Sequence, residues 1–231
     1  MKYTLIFNTK SFFSSKQQAL QFFQDLADAP PHQSLIVAVP ASLILYAKDR
    51  IRGNPNIGLA IQDLSALGEG AYTGSENALL LKDLGAQYAI IGHPETRTSG
   101  AILEEEITSK LNTAVKIGIH PILYVGNSFD QEVDTPLQTI SNNIMSLNRS
   151  NATEISIVLE HSELHDIFVR QAYQLIKKEC AIKQFRFYCA GNIDAQKISV
   201  LKKLKFIDGF AIGHHALRES DRKAIYEQSN N

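Results

Sequence analysis

The sequence predicts an α/β protein folded as a single (β/α)8 barrel, and three observations support this. Eight short apolar runs alternate with longer amphipathic segments along the 231 residues. The runs are continuously apolar, which is typical of parallel strands covered on both faces. The chain length suits eight strand–helix units. No composition break or Gly/Ser-rich linker interrupts the chain, so residues 1–231 are expected to form one domain.

The apolar runs are the predicted strands. In chain order they are "YTLIFN" (3–8), "SLIVAVP" (34–40), "IGLAIQ" (57–62), "QYAIIGH" (87–93), "IHPILYVG" (119–126), "ISIVLE" (155–160), "FRFYCAG" (185–191) and "IDGFAIG" (207–213). Segments between them, such as "EEEITSKLNTAVKIG" and "HDIFVRQAYQLIKKE", have helical spacing. One helix start carries a capping signal: Thr135 as N-cap, Pro136 in the first turn and Gln138 at the capping-box position.

An open, doubly wound sheet is the alternative architecture. Sheets of that type that bind dinucleotides carry the pattern G-x-G-x-x-G after the first strand. Here the corresponding segment reads "FNTKSFF". The absence of this pattern favours the closed barrel.

Composition limits the classes of function. A formal net charge of -1 argues against a nucleic-acid-binding surface. No segment approaches the roughly 20 apolar residues of a membrane span, and "MKYTLIFNTK" is too short an apolar run for a signal peptide. Cys180 and Cys189 have neither metal-ligand spacing nor a disulfide framework. A soluble cytoplasmic protein without nucleic-acid or membrane partners is expected.

Three chemically active side chains fall at the ends of predicted strands. They are Lys10, His93 and Glu160. Each has a structural interpretation: a solvated cation, a turn histidine and an acid favoured at a helix N-terminus. Because active sites of such barrels lie at the carboxyl ends of the strands, the three are expected to meet. A cation, an electrophile and a carboxylate base together suit proton abstraction beside a carbonyl group.

Several motifs, in order along the chain, resemble those of the triosephosphate isomerase family. They are "FNTK", "VAVPASLILYAKD", "AIQDLSALGEGAYTGS", "IIGHPETR" and "DGFAIGHHAL". The resemblance implies the TIM-barrel fold and an aldose–ketose isomerase that interconverts dihydroxyacetone phosphate and glyceraldehyde 3-phosphate in glycolysis and gluconeogenesis.

The resemblance also implies roles for individual residues. Glu160 would be the base, His93 the neutral electrophile and Lys10 the cation that stabilises the enediolate, the chemistry for which this family is a standard example. Asn8 would be a further donor, and Glu95 would brace the site through an ion pair.

Other positions would bind the substrate phosphate or the partner subunit. Gly191, Asn192, Gly213 and His214 stand at the phosphate-binding positions. Thr73 would reach the catalytic loop of a partner, which implies a homodimer through the loop around Tyr72-Thr73. The implied chemistry needs no metal or organic cofactor.

The chain departs from the family pattern after the base. There the family has a lid of about ten residues with glycines at its tip, whereas Glu160 is followed by "HSELHDIF". No glycine occurs between Gly126 and Gly191. A shortened lid is therefore predicted.

Further departures lie around the site. Asn192 replaces a serine, and His214 replaces a glycine, where it would crowd the anion-binding backbone or add a contact to it. The others are Cys189 for Tyr, Pro94 for Ser, Tyr124 for Cys, Asn127 for Glu and Ser75 for Glu.

Three hypotheses follow from the retained and lost features. The first is triose phosphate isomerisation. The second is a catalytically impaired or inactive paralogue with a binding or structural role, and the third is an isomerase of a different phosphorylated sugar.

Overall fold

The computed structural model describes residues 3–27, 29–52, 54–99, 102–126, 136–182 and 184–230. Eight parallel strands pair in sequence order and close into a barrel, since β1 pairs with both β2 and β8. The strands are β1 (Thr4–Asn8), β2 (Ser34–Val39), β3 (Ile57–Ile61), β4 (Tyr88–Ile91), β5 (His120–Val125), β6 (Ser156–Glu160), β7 (Arg186–Ala190) and β8 (Gly209–Ile212). The predicted fold class is confirmed.

Helices cover the outside of the barrel. They are α1 (Lys16–Ala27), α2 (Ile44–Arg50), α3 (Ala78–Leu84), α4 (Pro94–Ser99), α5 (Glu104–Ile117), α6 (Pro136–Asn148), α7 (Asp166–Glu179), α8 (Ala195–Leu201) and α9 (Glu219–Asn230). Two 3₁₀ turns, Ala41–Leu43 and His214–Leu217, add to these. None of the described helices is both long and apolar enough to cross a membrane.

Side-chain capping explains where two of the helices begin. The Asn77 side chain caps α3 by accepting hydrogen bonds from the backbone N–H groups of Leu79 and Leu80, at 2.9 and 3.3 Å. Asp194 caps α8 in the same way through Lys197 N, at 2.7 Å. The predicted N-cap at Thr135 lies outside the described residues.

Two apolar layers hold the barrel together. Side chains that point outward from the strands pack against the helices, and those that point inward fill the barrel. The inward layer includes Ile6, Ile36, Ala38, Ala60, Ile90, Ile122, Tyr124, Val158, Tyr188, Ala190 and Ala211. The strands are buried on both faces, which is the reason for their continuously apolar sequences.

Candidate active site

The three chemically active side chains predicted from the sequence lie together at the carboxyl ends of β1, β4 and β6. The Nε2 atom of His93 is 3.3 Å from Oε2 of Glu160. The Nζ atom of Lys10 is 2.5 Å from Oε1 of Glu95, beside the same pocket. Lys10, His93 and Glu160 all line this pocket, which has a volume of about 240 Å³. The tertiary structure thus brings a cation, an imidazole and a carboxylate to one cavity.

The surroundings of His93 favour one neutral form of its ring. Its Nδ1 atom accepts a hydrogen bond from the backbone N–H of Glu95 at 3.2 Å, which leaves the proton on Nε2. Burial lowers the pKa of His93, and this outweighs the opposing effect of Glu160 and Glu95; the charge of Lys10 lowers the pKa further. His93 is therefore a neutral group whose protonated Nε2 atom lies beside the Glu160 carboxylate.

Glu160 is the last residue of β6 and is 8% exposed. Its position at a strand end places the carboxylate at the pocket, while the strand backbone fixes its direction. A carboxylate largely shielded from water suits proton transfer, because fewer water molecules compete for it.

Hydrogen bonds of the Asn8 and Gln62 side chains hold the backbone in place at the end of β1. Asn8 lines the pocket, and its Oδ1 accepts a hydrogen bond from the backbone N–H of Lys10 at 3.0 Å. The Gln62 side chain donates to Asn8 Oδ1 at 3.3 Å and to the Lys10 carbonyl at 3.0 Å. Lys10 has a φ of +46°, a conformation that non-glycine residues rarely adopt.

The four residues predicted at the phosphate-binding positions line the same pocket. Gly191 and Asn192 follow β7, and Gly213 and His214 follow β8. The exposed His214 ring lies edge-on to Phe12 with ring centroids 5.8 Å apart. His214 thus lies at the exposed side of the pocket, beside Phe12.

The connection after β6 is short, which confirms the shortened lid. Only residues 161–165 separate Glu160 from α7. Lys197 donates hydrogen bonds to the carbonyls of Ser162 and Gly191, at 3.4 and 2.9 Å, and thereby ties this connection to the one after β7.

Close backbone packing reinforces that tie. Gly191 has a φ of +126°, and a Cβ atom there would lie 1.8 Å from the His161 carbonyl oxygen. Only glycine therefore fits at this position. The connections after β6 and β7 are thus packed closely against each other beside the pocket.

The other departures from the family pattern have distinct surroundings. Pro94 is the first residue of α4, where proline is well tolerated. Cys189 is buried in the layer between strands and helices, and burial raises its thiol pKa, so it is not an activated nucleophile. Tyr124 lines the pocket. Asn127 lies outside the described residues.

Thr73 is not among the residues that line the pocket. It lies with Tyr72 and Ser75 on the exposed connection between β3 and α3. Its predicted function depends on a second subunit.

Sequence reasoning missed several residues that form or support the site. Phe12, Ile193 and His215 line the pocket, Gln62 braces β1, and Lys197 ties two connections together. Phe12 closely follows the motif "FNTK" and His215 lies within the motif "DGFAIGHHAL", so the motifs were a usable signal for both. Lys197 gave none, because the backbone carbonyls that it contacts lie on two different connections and no local pattern marks them. Among the described residues, no group of three or more His, Cys, Asp or Glu side chains is placed to hold a metal ion.

The class of protein is thus a parallel (β/α)8 barrel whose strands carry a carboxylate, a neutral imidazole and a lysine at one pocket at their carboxyl ends. A sequence model of the family "Triosephosphate isomerase" matches residues 3–229, and the chain belongs to that family.

Known relatives agree with this assignment. A triosephosphate isomerase of Francisella tularensis subsp. novicida is 26% identical over 224 residues, covering 84% of each chain. One from Francisella philomiragia is 25% identical over 218 residues, covering 86% of this chain and 85% of the relative. One from Thermus thermophilus is 34% identical over 131 residues, or 56% of this chain and 52% of the relative.

Proposed function

We propose that this protein interconverts dihydroxyacetone phosphate and glyceraldehyde 3-phosphate by proton transfer through an enediolate. The observation that carries the proposal is the 3.3 Å separation between His93 Nε2 and Glu160 Oε2 in a pocket that Lys10 also lines. Membership of the triosephosphate isomerase family supports the same chemistry.

In the proposed reaction, Glu160 acts as the base. Its carboxylate removes a proton from C1 of dihydroxyacetone phosphate, and the electron pair of the broken C–H bond forms the C1=C2 double bond. The carbonyl electrons move to the C2 oxygen, which becomes negative. The proton of the C1 hydroxyl then passes to the C2 oxygen, and the C1–O electrons form the aldehyde carbonyl. The electron pair of the C1=C2 bond takes the proton back from the carboxylic acid of Glu160 at C2. The proton count balances, and no external oxidant or reductant is needed.

His93 and Lys10 stabilise the charge that develops. The neutral His93 donates its Nε2–H to a substrate oxygen, and a fixed donor at a developing oxyanion contributes strongly to catalysis. Lys10 supplies the positive charge, while its ion pair with Glu95 holds the ammonium group beside the pocket. Asn8 is proposed as a further donor, and Gly191, Asn192, Gly213 and His214 are proposed to contact the phosphate.

A coupled assay of both substrates tests the proposal. Replacing Glu160 by Gln is expected to lower kcat by about 10²- to 10⁴-fold, because it removes the general base but keeps the shape of the side chain. Glu163→Gln is the matched control, since Glu163 is an exposed acid on the same connection. It is expected to leave kcat unchanged.

The products of the assay separate the outcomes further. Equal turnover in the wild type and Glu160→Gln would refute the proposed base. Glu160-dependent turnover that yields mainly methylglyoxal would support a working base in a site that does not retain the enediolate.

The short connection after β6 also favours two alternative functions. Without a lid, water reaches the pocket and weakens electrostatic stabilisation of the enediolate, which would suit a paralogue that binds without turnover. An open edge would also admit a different phosphorylated sugar. Binding of triose phosphate without turnover would support the first alternative, and turnover of a longer sugar phosphate alone would support the second.

We propose that the protein forms a homodimer through the face around Tyr72-Thr73. Tyr72 is 47% exposed on its connection, and Leu79 and Leu80 of α3 are 61% and 54% exposed. Leu45 is 57% exposed on α2, which packs beside α3. Large apolar side chains exposed on neighbouring elements are typical of a protein interface.

A further inference from the structure

The interior of the barrel contains a tyrosine, Tyr124, at the same pocket as the candidate catalytic residues. Tyr124 belongs to β5 and points inward, since it is part of the inner apolar layer together with Ile122 two residues before it. It is 2% exposed, and it lines the same pocket as His93 and Glu160.

Small side chains on other strands leave room for this large ring. The inner layer includes four alanines: Ala38 of β2, Ala60 of β3, Ala190 of β7 and Ala211 of β8. A barrel interior is commonly filled by such a combination of large and small side chains. The small volume of these four alanines thus offsets the large volume of the Tyr124 ring in the inner layer.

The Tyr124 ring packs against His93. The two ring centroids are 4.7 Å apart and the planes are inclined by 45°. This contact shields the imidazole from water on one side. It also places the phenol beside His93 and Glu160, the proposed electrophile and base.

The hydroxyl remains protonated in these surroundings. Burial is the main cause that raises the pKa of Tyr124, and the negative charges of Glu160 and Glu95 raise it further. A phenol of this kind is a hydrogen-bond donor throughout the neutral pH range.

We propose that Tyr124 is an additional catalytic residue, whose hydroxyl donates a hydrogen bond to an oxygen of the bound sugar phosphate beside His93 and Glu160. This inference rests on the proposed function for the identity of the substrate. The pocket volume of about 240 Å³ lies below the roughly 300–1,000 Å³ of pockets for drug-sized ligands, so a short substrate would lie close to its floor.

Tyr124→Phe tests the inference, because it removes the hydroxyl and keeps the ring. We expect kcat/KM to fall by about 10- to 100-fold, the range for a lost hydrogen bond to a charged group. Tyr188→Phe is the matched control: Tyr188 is buried in the same inner layer but is not among the residues that line the pocket. It should retain wild-type kinetics.

The pH profile separates contact with substrate from contact with Glu160. A hydrogen bond from Tyr124 to the carboxylate would stabilise its ionised form, so loss of that bond would move the acid limb of kcat/KM to higher pH. We expect the acid limb of Tyr124→Phe to stay in place while the plateau falls. A shifted limb, an unchanged plateau or an equal loss in Tyr188→Phe would each overturn the inference.

Binding distinguishes a failure of this inference from a failure of the proposed function. The probe is 2-phosphoglycolate, a two-carbon phosphate whose carboxylate has the shape and charge of an enediolate, titrated by calorimetry. If the wild type binds it without turning over triose phosphate, the function fails but Tyr124 is still tested. A Kd about tenfold or more higher in Tyr124→Phe alone supports the contact. An equal Kd, or no binding to the wild type, overturns it.

Discussion

Lys10 combines an unfavourable backbone conformation with a side chain that lines the candidate site. Its φ of +46° places it in the left-handed region, which costs a residue with a Cβ atom about 1–2 kcal/mol. Two hydrogen bonds hold this conformation: the Lys10 backbone N–H donates to Asn8 Oδ1, and the Gln62 side chain donates to the Lys10 carbonyl. Strain of this kind persists where the fold over-determines it, and here it directs the ammonium group toward Glu95 and the pocket.

Two substitutions separate the backbone cost from the function of the side chain. Lys10→Ala and Lys10→Gly both remove the ammonium group, so each should lower kcat/KM by at least about 100-fold. Lys10→Gly should be about 1 kcal/mol more stable than Lys10→Ala, because glycine adopts the left-handed conformation without strain. Urea unfolding measures the difference. An alanine variant as stable as the glycine variant would show that Lys10 is not strained.

His93 shows how a single residue can be interpreted only in its surroundings. The sequence pattern "IIGHPETR" placed it at a strand end. The neutral state of its ring depends on burial, which lowers its pKa, and on the hydrogen bond from the Glu95 backbone that fixes the tautomer. Neither burial nor the position of a backbone N–H group can be read from a short motif.

At the scale of elements, the connections after β6 and β7 act as one unit. They are joined by Lys197 and by the close approach of Gly191 to His161. With only residues 161–165 between Glu160 and α7, the proposed site has no long connection after β6 that could enclose a substrate. The electrostatic surroundings of Glu160 therefore depend on the barrel interior and on residues such as Tyr124.

Closure of the barrel depends on the pairing of β8 with β1, and a substitution at Gly209 of β8 tests this dependence. A Cβ atom at Gly209 would lie 1.8 Å from the Thr4 carbonyl oxygen, so Gly209→Ala would force the two strands apart. We expect a loss of about 3 kcal/mol or more in the free energy of unfolding, at the upper end of overpacking effects. Urea unfolding at fixed protein concentration provides the measurement.

Gly68→Ala is the control for this substitution, since no atom lies within 4 Å of a Cβ added at Gly68. It adds the same methyl group and should change the free energy of unfolding by no more than about 0.5 kcal/mol. Similar losses in the two variants would mean that contact with β1 is not the cause.

At the scale of the whole molecule, the exposed apolar face on α2, α3 and the connection before α3 is the proposed dimer interface. Leu80→Glu would bring two negative charges, one from each subunit, into this interface. We expect the dissociation constant of the dimer to rise at least about 100-fold, because desolvated like charges repel by several kcal/mol.

Analytical ultracentrifugation over a concentration series measures this change. Ile167→Glu is the matched control, since Ile167 is a 67% exposed apolar residue on α7. It should leave the dimer intact. A monomeric wild type, or equal weakening by both substitutions, would exclude the proposed interface.

Much of the fold was predictable because local patterns specify it. Continuous apolar runs occur where strands are buried on both faces, and helical spacing occurs where one face packs on them. The order of the strands in the barrel then follows from chain order, since parallel neighbours are linked by right-handed crossovers. The same rule placed Lys10, His93 and Glu160 at one end of the barrel.

The remaining features of the site arise from contacts between residues distant in the chain. Patterns along the chain were enough to predict the eight-stranded barrel, the residues at its strand ends and the short connection after Glu160. The 3.3 Å approach of His93 to Glu160, the hydrogen bonds of Lys197 and the packing of Tyr124 against His93 arise from folding. Strand sequences set which face a side chain occupies, whereas distances, burial and protonation depend on what the other strands place beside it.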